Sequence, residues 1–164
     1  HGACGQVLAP YDFFKDKTQK DAYQKYLEDV LANLSMTDNY DTAAHLDFIE
    51  RYYPTKNVEE KLLKYNQFAD IIDEILLTLI RKDKALEINT AGIRYGLGVS
   101  HPSIEILSRY KELGGKLITI GSDAHRACDI AADFEIAILY MQKAGFDSYC
   151  VFKKRQPELI PLKK

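Results

Sequence analysis

The chain has 164 residues, of which 46% are hydrophobic and 28% charged, and its 22 basic and 24 acidic residues leave a formal net charge of −2. This length and composition fit one globular domain with a sizeable core, while the balanced charge argues against a surface that recruits nucleic acid or an anionic membrane. Cys4, Cys128 and Cys150 lack the spacing of a disulfide framework or a zinc knuckle, and no apolar run is long enough to span a membrane, so a cytoplasmic protein is expected.

The first half of the chain contains two helical patterns and one extended segment. Residues 18–35 begin with a capping signal at Thr18 and carry apolar residues at helical spacing, which predicts a helix. Residues 58–82 carry a long amphipathic pattern, which predicts a second helix. Between them, "YDTAAHLDFI" favours an extended strand that places His45 near its end.

The second half alternates strand and helix patterns. In chain order we predict a strand at 86–89, a glycine-rich loop at 90–103, a helix at 103–113, a strand at 117–122, a helix with Ile130 on its core face at 127–144, a strand at 148–153 and a surface strap at 153–164. Strands that alternate with helices indicate crossover connections and a parallel sheet, either doubly wound or an arc of a barrel.

Polar side chains follow the ends of these strands. The carboxyl ends of parallel strands share one edge of the sheet, where functional groups collect. The stretch "ITIGSDAH" places Asp123 and His125 two positions apart, so a continued strand would direct both side chains toward one divalent ion or two adjacent ones. His45 ends another strand. These three residues are therefore candidate metal ligands.

Further polar residues follow the strand at 86–89. Glu87 and Asn89 alternate on this strand, and Arg94 lies in the loop beyond it, where its guanidinium could bind a phosphate. We expect all three to bind substrate. Structural roles remain open for residues of this kind, because an aspartate after a strand is also a common helix cap and a single histidine is more often a hydrogen-bonded core residue.

Three motifs together resemble a known family. "AAHLDFIERY", "LEINTAGIR" and "ITIGSDAH", in this order, resemble the polymerase and histidinol phosphatase (PHP) superfamily, and most closely its histidinol-phosphatase branch. The resemblance covers residues 40–152. It implies an α/β fold that is an incomplete (βα)7 TIM-like barrel, with residues 1–164 forming the carboxyl-terminal portion of a single PHP domain whose N-terminal strands and metal ligands are absent. For the complete protein it implies hydrolysis of L-histidinol phosphate to histidinol and phosphate in histidine biosynthesis.

The resemblance also implies roles for individual residues. His45, Asp123 and His125 match metal-binding positions of the family, and Asp123 and His125 are the expected catalytic residues. Arg94 falls at the position of a phosphate-binding arginine. His1 is the match for a further ligand histidine that the family places before the "HLD" motif. The complete family site holds three divalent ions, for which Zn, Mn and Fe are the expected metals.

Two alternatives stay open at this level. The chain could belong to another PHP branch that acts on nucleic-acid ends or on phosphotyrosine. It could instead be a non-catalytic truncated module, in which an open barrel leaves unpaired strand edges and favours a homo-oligomer. The expected partner is a small phosphate-ester substrate, with no nucleic acid and no membrane.

Overall fold

The computed structural model describes residues 12–162 and, before them, only the backbone of two short strands. These strands, β1 (Gly2–Ala3) and β2 (Gln6–Val7), pair in antiparallel fashion. His1, a predicted metal ligand, lies outside the described residues.

Helices and strands alternate along the rest of the chain. The helices are α1 (Gln19–Met36), α2 (Val58–Lys61), α3 (Ala69–Arg81), α4 (Ala91–Arg94), α5 (Ile104–Glu112) and α6 (Phe134–Lys143). The further strands are β3 (Thr42–Ala43), β4 (Ala85–Asn89), β5 (Ile118–Gly121), β6 (Ser148–Lys153) and β7 (Gln156–Pro161). Short 3₁₀ helices cover Asp12–Phe14, Phe48–Tyr52, Tyr65–Gln67 and Ala127–Asp129.

A parallel sheet with the order β3-β4-β5 organises the fold. Its register pairs Ala43 with Leu86 and Glu87 with Thr119. Helices α2 and α3 connect β3 to β4, and α4 and α5 connect β4 to β5, so the predicted alternation of parallel strands and helices is confirmed. The (βα)7 barrel is a finer prediction, and it stays a prediction.

The core lies between the sheet and the long helices. Helix α3 buries Ile72, Ile75, Leu76 and Leu79 completely, as its amphipathic pattern predicts. The predicted helix at 18–35 is confirmed as α1. The hydroxyl of its N-cap residue, Thr18, accepts a hydrogen bond from the Asp21 N–H. Among the described residues, no helix has both the length and the apolar content that a membrane crossing requires.

The single helix predicted at 58–82 is wrong. Helix α2 ends at Lys61, and a 3₁₀ turn separates it from α3. The reason is a tertiary hydrogen bond, because the Leu63 N–H donates to the Glu50 carboxylate instead of to a helical carbonyl. The buried Leu63 then packs into the core.

The helix predicted at 127–144 is also shorter than expected, since α6 begins at Phe134. Ala131 has a left-handed φ of 59°, and its N–H donates to the Ser122 hydroxyl, 3.3 Å away. Ile130, predicted to face the core, is 70% exposed. Contacts with the end of β5 therefore interrupt a pattern that is locally helical.

The carboxyl-terminal segment and the glycine-rich loop differ from the predictions as well. The predicted surface strap forms β7, which pairs in antiparallel fashion with β6 along its length. The predicted loop at 90–103 begins with α4, a single helical turn. Arg94 is the last residue of that turn, so its backbone is helical, whereas the sequence predicted a loop at this position.

Candidate metal and phosphate site

The carboxyl edge of the parallel sheet gathers the residues that the sequence singled out. His45 lies two residues beyond the end of β3 and has a positive φ of 34°. Its backbone N–H donates to Glu87 Oε2 at 3.0 Å, which ties it to β4. The short β3 and this side-chain bond therefore place the imidazole at the edge of the sheet.

Glu87 and Asn89 use their polar atoms to hold this edge together. Asn89 Nδ2 donates to Glu87 Oε2 at 2.9 Å, and Asn89 Oδ1 accepts the Ala91 N–H at 2.9 Å. The Glu87 carboxylate also faces Gly121, where a Cβ would overlap Glu87 Oε1. Only glycine fits at this end of β5 without displacing the carboxylate.

Asp123 and His125 lie close together, although the geometry differs from the prediction. Strand β5 ends at Gly121 and Asp123 has a φ of 48°, so the expectation that a continued strand directs both side chains the same way is wrong. The chain turns instead, and His125 Nδ1 lies 2.9 Å from the Asp123 carbonyl oxygen and 3.9 Å from Asp123 Oδ1. The His125 side chain is 69% exposed, whereas that of Asp123 is largely buried.

Arg94 reaches the same turn from α4. Its Nη2 donates to the carbonyl oxygens of Ser122 (2.9 Å) and Asp123 (3.1 Å), and its Nε lies 3.9 Å from Asp129 Oδ2. Arg94 Nη1 is buried and has no hydrogen-bond partner within the part of the chain that the structure describes. The guanidinium is therefore fixed beside Asp123 with a donor to spare.

Sequence reasoning missed Arg51. Its Nη1 lies 3.7 Å from Asp123 Oδ2, and its guanidinium stacks over the Tyr95 ring with the carbon 3.1 Å from the ring centroid. Arg51 follows His45 by six positions in the quoted stretch "AAHLDFIERY", but only the 3₁₀ turn at Phe48–Tyr52 directs it to the site. Two arginines thus flank the Asp123 carboxylate.

A second polar cluster, also missed, lies buried behind the edge. Asp47, Glu50 and His101 are 0%, 1% and 0% exposed, and His101 Nδ1 lies 2.7 Å from Asp47 Oδ1 and 3.7 Å from Glu50 Oε2. Burial, with the charge of Asp47 beside it, raises the pKa of Glu50 well above its usual range. Among the described residues this is the one set of three metal-ligating side chains close enough to share an ion.

The donors at the edge of the sheet fit divalent cations. Asp123 Oδ2 is buried and accepts no hydrogen bond from the described residues, as is typical of an oxygen that a cation would bind. Carboxylate and imidazole together suit zinc, manganese or iron. The predicted ligands His45, Asp123 and His125 supply fewer donors than the four to six that each such ion takes.

The chain is similar, over most of its length, to proteins named as histidinol-phosphatases or probable histidinol-phosphatases. The histidinol-phosphatase of Lactococcus lactis is 34% identical over 152 residues, which cover 90% of this chain and 53% of that protein. A protein of Clostridium acetobutylicum named "Probable histidinol-phosphatase" is 34% identical over 134 residues, covering 82% of this chain and 51% of that protein. The chain spans about half the length of the curated relatives it matches. No family model matches it.

A solved structure agrees with the sequence relatives. The crystal structure of histidinol phosphate phosphatase from Lactococcus lactis, complexed with Zn, L-histidinol and phosphate, superposes with a TM-score of 0.76 at 30% identity. The superposition covers 90% of this chain and 54% of the other. The chain is a homologue of histidinol-phosphatases. This similarity confirms the resemblance of the three sequence motifs, each of which includes residues at or just beyond the carboxyl end of a strand of the parallel sheet.

Proposed function

We propose that this chain forms part of a metal-dependent phosphatase that hydrolyses L-histidinol phosphate to histidinol and phosphate. The observation that carries the proposal is the meeting of metal-type donors and two arginines around Asp123 at the carboxyl edge of the sheet. The related Lactococcus enzyme, whose crystal structure contains Zn, L-histidinol and phosphate, supports the choice of substrate. The position of residues 1–164 as the carboxyl-terminal portion of one domain stays a prediction.

His45, Asp123 and His125 would hold divalent ions, and His1 is proposed as a further ligand. Zinc is the first choice, with manganese and iron as alternatives, in the three-ion arrangement that the family resemblance implies. Such ions, when bound, lower the pKa of water toward neutrality and offset the charge of a phosphoryl group. The largely buried Asp123 carboxylate and the exposed His125 imidazole would place those ions at the mouth of the site.

Arg94 and Arg51 would bind the phosphoryl group. Both are held by other protein groups before substrate arrives, Arg94 by the turn at Ser122 and Arg51 by stacking on Tyr95. A positioned guanidinium stabilises charge on phosphoryl oxygens without reorganising during the reaction. In the hydrolysis water adds to phosphorus, the ester P–O bond breaks, and the histidinol oxygen leaves with a proton.

Glu87 and Asn89 were expected to touch the substrate, and we propose a supporting role for both. Their side-chain atoms bond to the His45 N–H, the Ala91 N–H and each other. These bonds would hold His45 in the orientation that metal binding requires.

Metal content and substrate choice test the proposal directly. The chain is purified without chelator, its metals are counted by elemental mass spectrometry, and hydrolysis is measured with added Zn²⁺ on histidinol phosphate, a phosphotyrosine peptide and 5′-phosphorylated DNA. We expect bound divalent metal and phosphate release that is fastest with histidinol phosphate. Faster release from either other substrate would contradict the proposed specificity, and a metal-free, inactive chain would contradict the proposal for this chain.

A matched pair of variants tests Asp123. Asp123→Asn keeps the shape of the side chain but removes the charge that a cation needs, so we expect phosphate release to fall by at least about 100-fold. The control is Asp70→Asn in the first turn of α3, which makes the same chemical change on an exposed surface. Near-normal turnover in Asp123→Asn would remove this carboxylate from the mechanism.

Arg51 has its own expected result. Arg51→Met keeps much of the side-chain length but cannot bind phosphate, so kcat/KM for histidinol phosphate should fall by roughly 100-fold. Arg155→Met on the surface is the control, because Arg155 bonds to Asn39 and Asp41, away from the site. An unchanged kcat/KM in Arg51→Met would leave phosphate binding to Arg94 alone.

A further inference from the structure

The buried pair His101 and Asp47 has a geometry that a shared metal ion does not explain. Their contact of 2.7 Å is a hydrogen-bond distance, whereas two ligands held 2.0–2.2 Å from a tetrahedral zinc ion are roughly 3.3–3.6 Å apart. Asp47 Oδ2 also accepts the Ser103 N–H at 3.2 Å. In the His101 tautomer that carries its proton on Nδ1, the ring and the Ser103 N–H both donate to the Asp47 carboxyl group.

This pair closes a ring of bonds around His45. The His45 N–H and Asn89 Nδ2 donate to the same Glu87 oxygen. Asn89 and His101 exchange two backbone hydrogen bonds, 2.7 Å and 2.8 Å long. The His101 ring then bonds to Asp47, which follows His45 by two residues. The ring of bonds thus begins and ends at the segment that carries His45.

Aromatic contacts also connect His45 with His101, through the ring of Phe48. The Phe48 ring lies 4.6 Å from the His45 ring and 6.2 Å from the His101 ring, measured between centroids. Phe48 is itself buried, so a shift of either neighbour changes its packing. The His101 ring also packs against Gly92 in α4, the turn that ends at Arg94.

We propose that His101 is a positioning residue, which acts through its bond to Asp47 to hold the His45 imidazole in the orientation that metal binding requires. This inference rests on the proposed function in one respect, the role of His45 as a metal ligand. His101 touches neither metal nor substrate in this scheme.

Two amide substitutions at position 101 test whether His101 positions His45 through its bond to Asp47 or only fills space in the core. In His101→Asn the side-chain amide lies near the place of Nδ1 and can still donate to Asp47, whereas in His101→Gln the amide lies near the place of Nε2 and cannot. Asp47→Ala is a second disrupting variant, because it removes both oxygens that bond to His101 and Ser103. The three variants are compared with the wild-type chain.

The first readout needs no metal. Nuclear Overhauser effects between the His45 and Phe48 rings are measured in the metal-free chain. We expect them to persist in His101→Asn and to weaken in His101→Gln and Asp47→Ala. Equal effects in all four proteins would overturn the inference whether or not the chain binds metal.

The second readout uses Zn²⁺ alone, in competition with a chromophoric chelator. We expect the two disrupting variants to bind zinc about tenfold more weakly than wild type, and His101→Asn to stay within about threefold of it. Zinc-induced shifts confined to the His101 resonances would overturn the inference, because the buried cluster would then itself be the metal site. A wild-type chain that keeps the ring contacts but binds no zinc would contradict the proposed function while the positioning of His45 stands.

Discussion

At the residue scale, two proposed metal ligands have unusual backbones. His45 and Asp123 have φ angles of 34° and 48°, in a region that non-glycine residues seldom occupy. Such a conformation costs of the order of 1–3 kcal/mol and persists only when surrounding bonds hold it. Glu87 supplies such a bond to His45, and Arg94 bonds to the Asp123 carbonyl. The strain is located where the chemistry is proposed.

A double-mutant cycle tests how closely Gly121 and Glu87 are coupled. A Cβ at position 121 overlaps Glu87 Oε1, so Gly121→Ala should displace the carboxylate that holds the His45 N–H and weaken Zn²⁺ binding by about tenfold. In a Glu87→Ala background the same change meets no carboxylate and should have little further effect. The zinc affinities of the wild type, the two single variants and the double variant give the coupling free energy between positions 121 and 87. Additive losses would show that the alanine acts elsewhere.

At the element scale, a bidentate ion pair joins α3 to α5. Arg109 Nε and Nη2 donate to Asp73 Oδ1 and Oδ2 at 3.0 Å and 2.6 Å, and the Tyr65 hydroxyl donates to Asp73 Oδ1 at 2.8 Å. The hydrogen bonds from Arg109 lower the pKa of Asp73. A carboxyl group whose pKa is lower in the folded state stabilises the fold above its unfolded pKa, about 3.9, and loses that contribution as the pH falls through the folded value.

Asp73→Asn should therefore destabilise the chain in a pH-dependent way. We expect a lower free energy of unfolding than wild type at pH 7, because the charge that pairs with Arg109 is gone. The difference should shrink as the pH falls below about 4, where Asp73 of the unfolded chain becomes protonated, and it should vanish once the pH has fallen through the lower pKa of the folded state. Urea unfolding across this range measures it, with Asp70→Asn on the same helix as the control. A difference that does not change with pH would mean that the carboxylate charge contributes nothing.

At the scale of the whole molecule, β3 forms one edge of the parallel sheet within the described chain. A groove lined by apolar and small polar residues runs between this edge and α1 and reaches His45. An exposed strand edge beside apolar surface favours association with another chain. The homo-oligomer that was expected from an open barrel with unpaired strand edges stays a prediction.

Light scattering over a range of concentrations tests that expectation. The wild-type chain should gain apparent mass as its concentration rises. Thr42→Lys, which places a charge on β3, should reduce the gain, whereas Leu139→Lys on the half-exposed face of α6 should not. A monomer mass at every wild-type concentration would contradict the expectation, and equal effects of the two lysines would assign the association to another surface.

The sequence alone determined the alternation of helix and strand and the resemblance of the chain to histidinol-phosphatases. Hydrophobic periodicity and a cap located α1, the strand at 86–89 and α5, because these patterns are local. The motifs identified His45, Asp123 and Arg94 because each lies within a few residues of the end of a strand. The same local reasoning extended two helices too far, since nothing local shows that Glu50 takes the Leu63 amide or that Ser122 takes that of Ala131.

Only the tertiary structure decided how those residues meet. Arg51 contacts Asp123, which lies 72 positions later in the chain, and His101 bonds to Asp47, which lies 54 positions earlier. Neither contact corresponds to a periodic pattern in the sequence. The turn after β5, which brings His125 beside Asp123, depends on bonds from Arg94 in another element. Periodicity records which face of an element is buried, while side-chain partners depend on how the elements pack.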